Sequence, residues 1–343
     1  MGDIVTARDE NEVAEAVRAA VADRAGLEVL GQGTKRALGR PSQTPRTLSL
    51  AQMSGVTLYE PEELVLSALP GTPRRDIEEM LAARSQMLAF EPADLGPLLG
   101  GPAEAGTLGG LFCVNFAGPR RISHGAVRDH ALGVRAVSGR GEIFKSGGRV
   151  VKNVTGYDLP RLLAGAFGTL AVVTEITLKV LPRPALEETI LVPGLSVTQA
   201  AEALSAAMGS SCEVSGAAFL PDGIAERLPH LPGGAVALRL EGVAPSVSAR
   251  RAMLLSVLAS FGSGLVLEAE ASRALWAAVR DVKPFWGLGE RAVWRLSTAP
   301  TAGPPLAARL AAELGAEAYC DWAGGLVWAC LPGEASHAEE VRA

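Results

Sequence analysis

A chain of 343 residues that is 48% hydrophobic is long enough for two domains with real cores and too apolar to be disordered throughout. Its net charge of −5 argues against nucleic acid as a main partner, because phosphate neutralisation needs a basic surface. The opening MGDIVTARDE carries early acids and no apolar core, and the run 162–174 is too short and glycine-broken to span a bilayer. The expectation is a cytoplasmic protein whose membrane contact comes only through partners.

The first elements form a small β–α–β unit. A strand at 4–7 leads to a helix at 10–24 capped by Asp9, with Val13, Ala16, Val17, Ala20 and Val21 at helical spacing. A second strand at 27–30 ends on Gly31-Gln32-Gly33-Thr34-Lys35. Glycines let backbone N–H groups face an anion, and a threonine hydroxyl and a lysine add donors. A Walker loop is excluded because the chain has no Gly-Lys pair. The dinucleotide fingerprint fails because Arg36 stands where its third glycine belongs, and Pro41 and Pro45 interrupt any following helix. By spacing alone, an ordinary turn explains this loop equally well.

Strands follow at 47–50, 56–59 and 64–68, then a helix at 76–84 entered through Thr72 and Pro73, and a loop at 90–102. The segment 106–119 reads as a short apolar helix bracketed by glycines. Its glycine pair, Gly109-Gly110, suits either close approach to a ligand or tight packing. Arg120, Arg121 and Arg128 make the densest basic cluster, expected as a solvated loop. A hairpin at 132–137 and 142–144 turns on residues 138–141.

The stretch 147–182 sets a polar knot, 152–158, among glycines and apolar runs. It ends in a strand at 170–180 that Pro182 and Pro184 stop. Such a mixture suggests backbone lying close to something bound. Beyond Pro184, helices at 197–208, 246–261, 272–282 and 305–314 alternate with strands at 187–192, 214–220, 235–241, 265–269, 292–297 and 326–331. This is an α+β pattern with antiparallel strands. The four cysteines, Cys113, Cys212, Cys320 and Cys330, show no C-x-x-C spacing and the four histidines are scattered, so no metal or iron–sulfur site is expected.

Three segments in order carry a resemblance: Gly31 to Lys35; Gly106-Thr107-Leu108-Gly109-Gly110 with Asn115 and Gly118; and Gly168-Thr169-Leu170-Ala171-Val172-Val173. Together they resemble the FAD-binding domain of the vanillyl-alcohol oxidase and p-cresol methylhydroxylase (PCMH) type. The run from Gly147 to Leu159 is similar to the glycolate oxidase and D-lactate dehydrogenase branch. The GPRR run at 118–121 and the late Asp321-Trp322-Ala323-Gly324-Gly325 resemble E-type subunits of bacterial glycolate oxidases.

The resemblance implies an α+β chain: a two-lobed FAD-binding domain at 1–182, then a cap domain at 183–343 with a mainly antiparallel sheet. It assigns Gly31, Gln32, Gly33, Thr34 and Lys35 to the pyrophosphate. It places Thr107, Gly109, Gly110, Asn115 and Gly118 in a second flavin-binding segment, and Val172 and Val173 near adenine and flavin. No histidine lies in the first loop, so FAD is expected to be non-covalent. For a 2-hydroxy acid, Arg295 or Arg291 suits a carboxylate clamp, since the guanidinium fork matches a carboxylate. Lys152, Asn153 and Tyr157 are candidates to line the pocket, although Tyr157 and Asp158 can equally anchor a turn.

Three departures stand out. Ala171 replaces a common glycine, Val327 stands where E-type subunits place an arginine, and the histidine-rich metal motif of D-type chains is missing. The implied partners are a D-type flavin subunit and an iron–sulfur F subunit. Two functions follow: a flavin redox subunit that oxidises glycolate, or a flavin-fold accessory subunit that does no chemistry.

Overall fold

Asp9 accepts hydrogen bonds from the backbone N–H groups of Asn11 and Glu12, at 2.8 and 3.0 Å, and so starts α1 (Glu10–Ala22). The computed structural model containing this helix describes residues 3–39, 43–149, 156–289, 291–333 and 337–342. The chain separates into two units, Met1–Ala117 with Gly125–Arg183, and Gly118–His124 with Pro184–Ala343. The sequence boundary at 182 therefore misses an excursion: residues 118–124 belong with the second unit.

In the first unit, β1 (Asp3–Thr6) and β2 (Leu27–Leu30) flank β3 (Arg46–Ser49), and both run parallel to it. Val13, Ala14, Val17 and Ala20 are the buried residues of α1; Val13, Ala14 and Val17 pack with Leu48, Leu50 and Val172. This apolar stripe is what holds a 13-residue helix in place, since its propensity alone would leave it marginal. Next come β4 (Val56–Glu60), β5 (Val65–Ala68), β6 (Gln86–Met87), β7 (Ala131–Ser138), β8 (Ile143–Gly147), β9 (Ala171–Lys179) and β10 (Leu181–Pro182). Five form an antiparallel sheet in the order β4-β5-β9-β7-β8, and β10 pairs with β6. The connections carry α2 (Arg74–Ala82), α3 (Leu108–Val114), α4 (Arg121–His124), α5 (Val127–His130) and α6 (Leu159–Leu163), of which α4 lies in the excursion.

The second unit holds β11 (Leu186–Pro193), β12 (Gly216–Leu220), β13 (Ala235–Gly242), β14 (Leu265–Leu267), β15 (Val293–Ser297), β16 (Glu317–Asp321) and β17 (Leu326–Cys330). They form a seven-stranded sheet in the order β14-β11-β13-β12-β16-β17-β15, antiparallel throughout. Its helices are α7 (Val197–Met208), α8 (Asp222–Ala225), α9 (Ala244–Val257), α10 (Ala269–Arg280), α11 (Gly303–Leu314) and α12 (Ala338–Arg342). Ser196 and Gln199 start α7 with a reciprocal capping box, at 3.3 and 3.1 Å. Successive strand side chains point to opposite faces. Ile190 and Leu238 thus pack with residues of α7, α9 and α11, while Thr189 and Arg239 meet Trp276 of α10.

The fold is α+β, as expected, and the sheet of the second unit is antiparallel; among the described sheets only the small β1-β3-β2 sheet is parallel. Some details differ. Strand β14 is shorter than 265–269 because α10 already begins at Ala269. Helix α9 runs earlier than 246–261, with Pro245 in its first turn. Strand β16 went unpredicted: its five residues, EAYCD, begin and end on acids and offer no alternating stripe. Arg120 is no solvated residue: it is buried and paired with Glu241 and Glu187. No helix among the described residues is long and apolar enough to cross a membrane.

Candidate functional site

Strand β2 ends on the first glycine loop because residues 31–38 form bends and turns and no helix follows. Gly33 sits at φ +74°, a backbone conformation that glycine adopts without steric penalty. Gly31 is packed so closely on Thr107 that a Cβ there would lie 2.5 Å from the Thr107 hydroxyl oxygen. The loop and the start of α3 are thus one structure.

Thr107 caps α3 with its hydroxyl accepting from Gly110 N at 3.4 Å. Leu108 N donates to Thr72 O at 2.9 Å and Arg74 N to Gly106 O at 2.8 Å, fixing the helix start against the 70–74 turn. A Cβ on Gly109 would lie 2.8 Å from Pro70 Cβ and 3.0 Å from Pro70 O. At the other end of α3, Gly165 N and Phe167 N donate to the carbonyls of Phe112 and Cys113, at 3.1 and 2.9 Å. The turn before β9 is thereby tied to the same helix.

These three segments wall a cavity of about 490 Å³, within the size range of small-molecule sites. Gly31, Gln32, Gly33, Thr34, Lys35, Thr107, Gly109, Gly110, Val172 and Val173 all line it. Ala171 lines it too and begins a regular strand, outside the left-handed region, so alanine is unstrained in place of glycine. Pro70, Cys113 and Phe167 also line the cavity. Pro70 had signalled only a turn, and nothing in the local pattern marked the other two. Burial pushes the Cys113 thiol up to about 11, so it stays protonated at neutral pH.

Two assigned residues lie elsewhere. Asn115 closes α3 in the left-handed conformation and its Oδ1 accepts from Arg128 N at 2.9 Å. Gly118 belongs to the second unit, where its carbonyl accepts from Trp322 Nε1 at 3.0 Å. Neither lines the cavity, so both act on local structure.

The cavity fits a long anionic ligand. Glycine backbone lines two walls, with no Cβ between amide and ligand, and Gly31 and Gly109 have no room for one. Lys35 supplies a cation: its Nζ lies 3.6 Å from where a Cβ on Gly106 or Gly110 would stand. Burial lowers the Lys35 pKa, Arg74 lowers it further, and Asp94 opposes both. A diphosphate bound there would stabilise the charged lysine.

The candidates for chemistry are dispersed. Lys152 and Asn153 lie outside the described residues. Tyr157 is 88% exposed in the first unit. Arg295 sits on β15 in the second unit, its guanidinium carbon 4.9 Å from the Trp322 ring centroid and 5.9 Å from that of Trp328. Arg291 pairs instead with Glu317 at 3.1 Å. Val327 is fully buried in the core of the second unit. Among the described residues no group of three His, Cys, Asp or Glu side chains could hold a metal ion.

Comparison with known proteins agrees with this geometry. Residues 3–147 match the model of a family described as an FAD binding domain. Glycolate oxidase subunit GlcE of Escherichia coli is 35% identical over 315 residues, covering 92% of this chain and 78% of the relative. Glycolate oxidase subunit GlcD of Bacillus subtilis is 29% identical over 203 residues, 59% of this chain but 42% of the relative. Among solved structures, p-cresol methylhydroxylase with substrate bound superposes with a TM-score of 0.72 at 14% identity, covering 99% of this chain and 76% of that one. The chain thus shares the fold of p-cresol methylhydroxylase, and it belongs to the FAD-binding family of glycolate oxidase subunit GlcE, with FAD as its cofactor.

Proposed function

We propose that this chain is the FAD-binding subunit of a glycolate oxidase complex, oxidising glycolate to glyoxylate and passing the electrons to partner subunits. The observation that carries it is the match to GlcE over 92% of the chain, joined to an intact glycine cradle. When bound, FAD supplies a two-electron acceptor for the hydrogen on the alcohol carbon. The chain's own residues hold the pyrophosphate on Gly31 to Lys35 and, at Arg295, offer a guanidinium to the substrate carboxylate. Tyr157 and Lys152 are the candidates to handle the hydroxyl proton. Electrons leave through a D-type flavin subunit and an iron–sulfur F subunit, since the chain's four cysteines are free thiols with no cluster spacing. Any membrane contact comes through these partners, and the chain itself is cytoplasmic.

A second reading is favoured by Val327. Its full burial leaves no cation where E-type subunits place an arginine. In that reading the chain keeps FAD but stabilises or bridges its partners without turnover. The purified chain should show a flavin absorbance spectrum. Anaerobic glycolate should then bleach it, alone or in the assembled complex. Bleaching of the isolated chain removes the accessory reading, and a flavin that never bleaches in the complex removes the catalytic one.

A further inference from the structure

One bulky aromatic residue at the cavity holds a backbone conformation that suits glycine. Phe167 sits at φ 53°, in the left-handed region, where a large L side chain is an outlier. The residue is 55% exposed, so it is no part of the core. It lines the cavity that the glycine segments wall.

The turn that carries Phe167 is fixed from several sides. Its amide donates to Cys113 O at 2.9 Å, and the amide of Gly165 donates to Phe112 O at 3.1 Å, both on α3. Thr169 closes the turn on itself, its amide and its hydroxyl both donating to Ala166 O, at 2.9 and 2.6 Å. Gly165, at φ 90°, is pressed so closely on Asn115 that an added Cβ would lie 3.1 Å from the Asn115 Cβ. Contacts of this kind over-determine a strained backbone, and strain retained in this way gathers at ligand clamps. A half-exposed ring recovers only part of the burial that a core position would give, so packing does not account for the strain.

The position points to a ligand. Lys35 Nζ stands beside Gly106 and Gly110, at the start of α3, whereas Phe167 is tied to Cys113, three residues beyond Gly110. At 1.5 Å per residue, the helix separates these two anchor points by about 4.5 Å along its axis. One cavity thus holds a cation and glycine amides at one end of α3 and an aromatic residue nearly a turn further along. Val29, Val172 and Val173 add apolar wall to the same cavity. FAD has a matching layout: a diphosphate joined through sugar chains to two flat ring systems. Aromatic side chains stack on such rings through their π faces.

We propose that Phe167 is a cofactor-binding residue whose ring stacks on an aromatic ring of FAD, and that the turn 165–169 keeps its strained backbone for that purpose. The proposal rests on FAD as the cofactor and not on turnover. A flavin that binds yet never bleaches with glycolate would sink the redox reading and leave this role standing.

The test is isothermal titration of the full-length apoprotein with FAD. Phe167→Asn removes the ring, and asparagine tolerates the left-handed backbone. Its Kd for FAD should rise by about tenfold, the loss of one aromatic stack. Its apoprotein should nevertheless melt no lower than the wild type, because the strain is relieved. Phe167→Tyr keeps the ring and should bind FAD within about twofold of the wild type. Separate titrations with ADP and FMN tell the rings apart: the ligand whose affinity falls in Phe167→Asn carries the ring that Phe167 covers. Should Phe167→Asn fail to fold, Phe167→Leu, which keeps apolar bulk without a ring, decides by the same comparison. Wild-type affinity for FAD in the ring-less variant overturns the proposal, and so does a Phe167→Tyr variant that loses as much affinity as the ring-less one. A wild-type chain that binds no FAD overturns the cofactor and this role together, whereas equal binding by wild type and variant overturns this role alone.

Discussion

Arg120 Nε donates to both carboxylate oxygens of Glu241, each at 3.0 Å, and both side chains are buried within the second unit. Arg120 also stands 3.6 Å from Glu187, and Arg239 stands 3.5 Å from Glu241, so two arginines and two glutamates share one buried network. By this pairing the excursion 118–124, entered from Ala117 and left at Gly125, is anchored in the second unit.

Removing one partner of a buried pair strands the other charge, a loss of about 3–5 kcal/mol. Arg120→Ala should therefore lower the stability of the second unit by roughly that amount. Urea unfolding followed by tryptophan emission reports this unit selectively, because all five tryptophans lie in it. An unchanged midpoint would mean that the network does not hold the excursion.

The two glutamates should respond oppositely to pH. In the folded chain Glu241 titrates at about 2, below its ordinary value of 4.5, despite burial, because Arg239 and Arg120 favour its charge. Its contribution is full above pH 4.5 and is lost as pH falls from there through about 2. Glu187 is shifted upward, chiefly by burial, with Arg239 opposing. Above 4.5 the unfolded chain releases this proton more readily than the folded one, so stability declines with rising pH until the folded group has ionised. Glu241→Gln should flatten the acid loss, whereas Glu187→Gln should abolish the decline above 4.5. Thermal melts across pH distinguish the two variants.

Filling the glycine cradle should cost cofactor before it costs fold. Gly109→Ala places a methyl 2.8 Å from Pro70 Cβ, and overpacking of this kind typically costs about 1–3 kcal/mol. The shift it forces moves the α3 backbone that lines the cavity. The ratio of flavin to protein absorbance should fall well below that of the wild type, while circular dichroism keeps its shape.

Lys35 should matter for affinity and little for folding. Lys35→Met removes a charge-assisted contact, about 1.5–3 kcal/mol, or roughly 10- to 150-fold in FAD affinity. Isothermal titration of the apoprotein with FAD measures this. Binding to the wild type should take up protons at high pH, because the diphosphate restores the lysine charge that burial disfavours. The proton uptake should vanish in the variant.

Much of the fold could be read from the sequence because its signals are local. Asp9 before a helical stripe, glycines at the ends of β2 and the start of α3, and prolines after β9 each act within a few residues. The glycine segments pointed to a ligand cradle, and ten of the twelve residues assigned to it line one cavity. Other features arise only when distant segments meet. Strand β16 takes its place between β12 and β17 by pairing, not by its own pattern. Asn115 and Gly118 lie a few residues beyond the glycine pair, yet α3 ends at Val114, so neither reaches the cavity. Arg120 looked like a surface charge because its partners, Glu187 and Glu241, stand 67 and 121 positions away. The sequence determined which backbone could approach a cofactor, since a missing Cβ is a local property. Tertiary structure alone decided which charges are buried and paired, since burial depends on what the rest of the chain brings alongside.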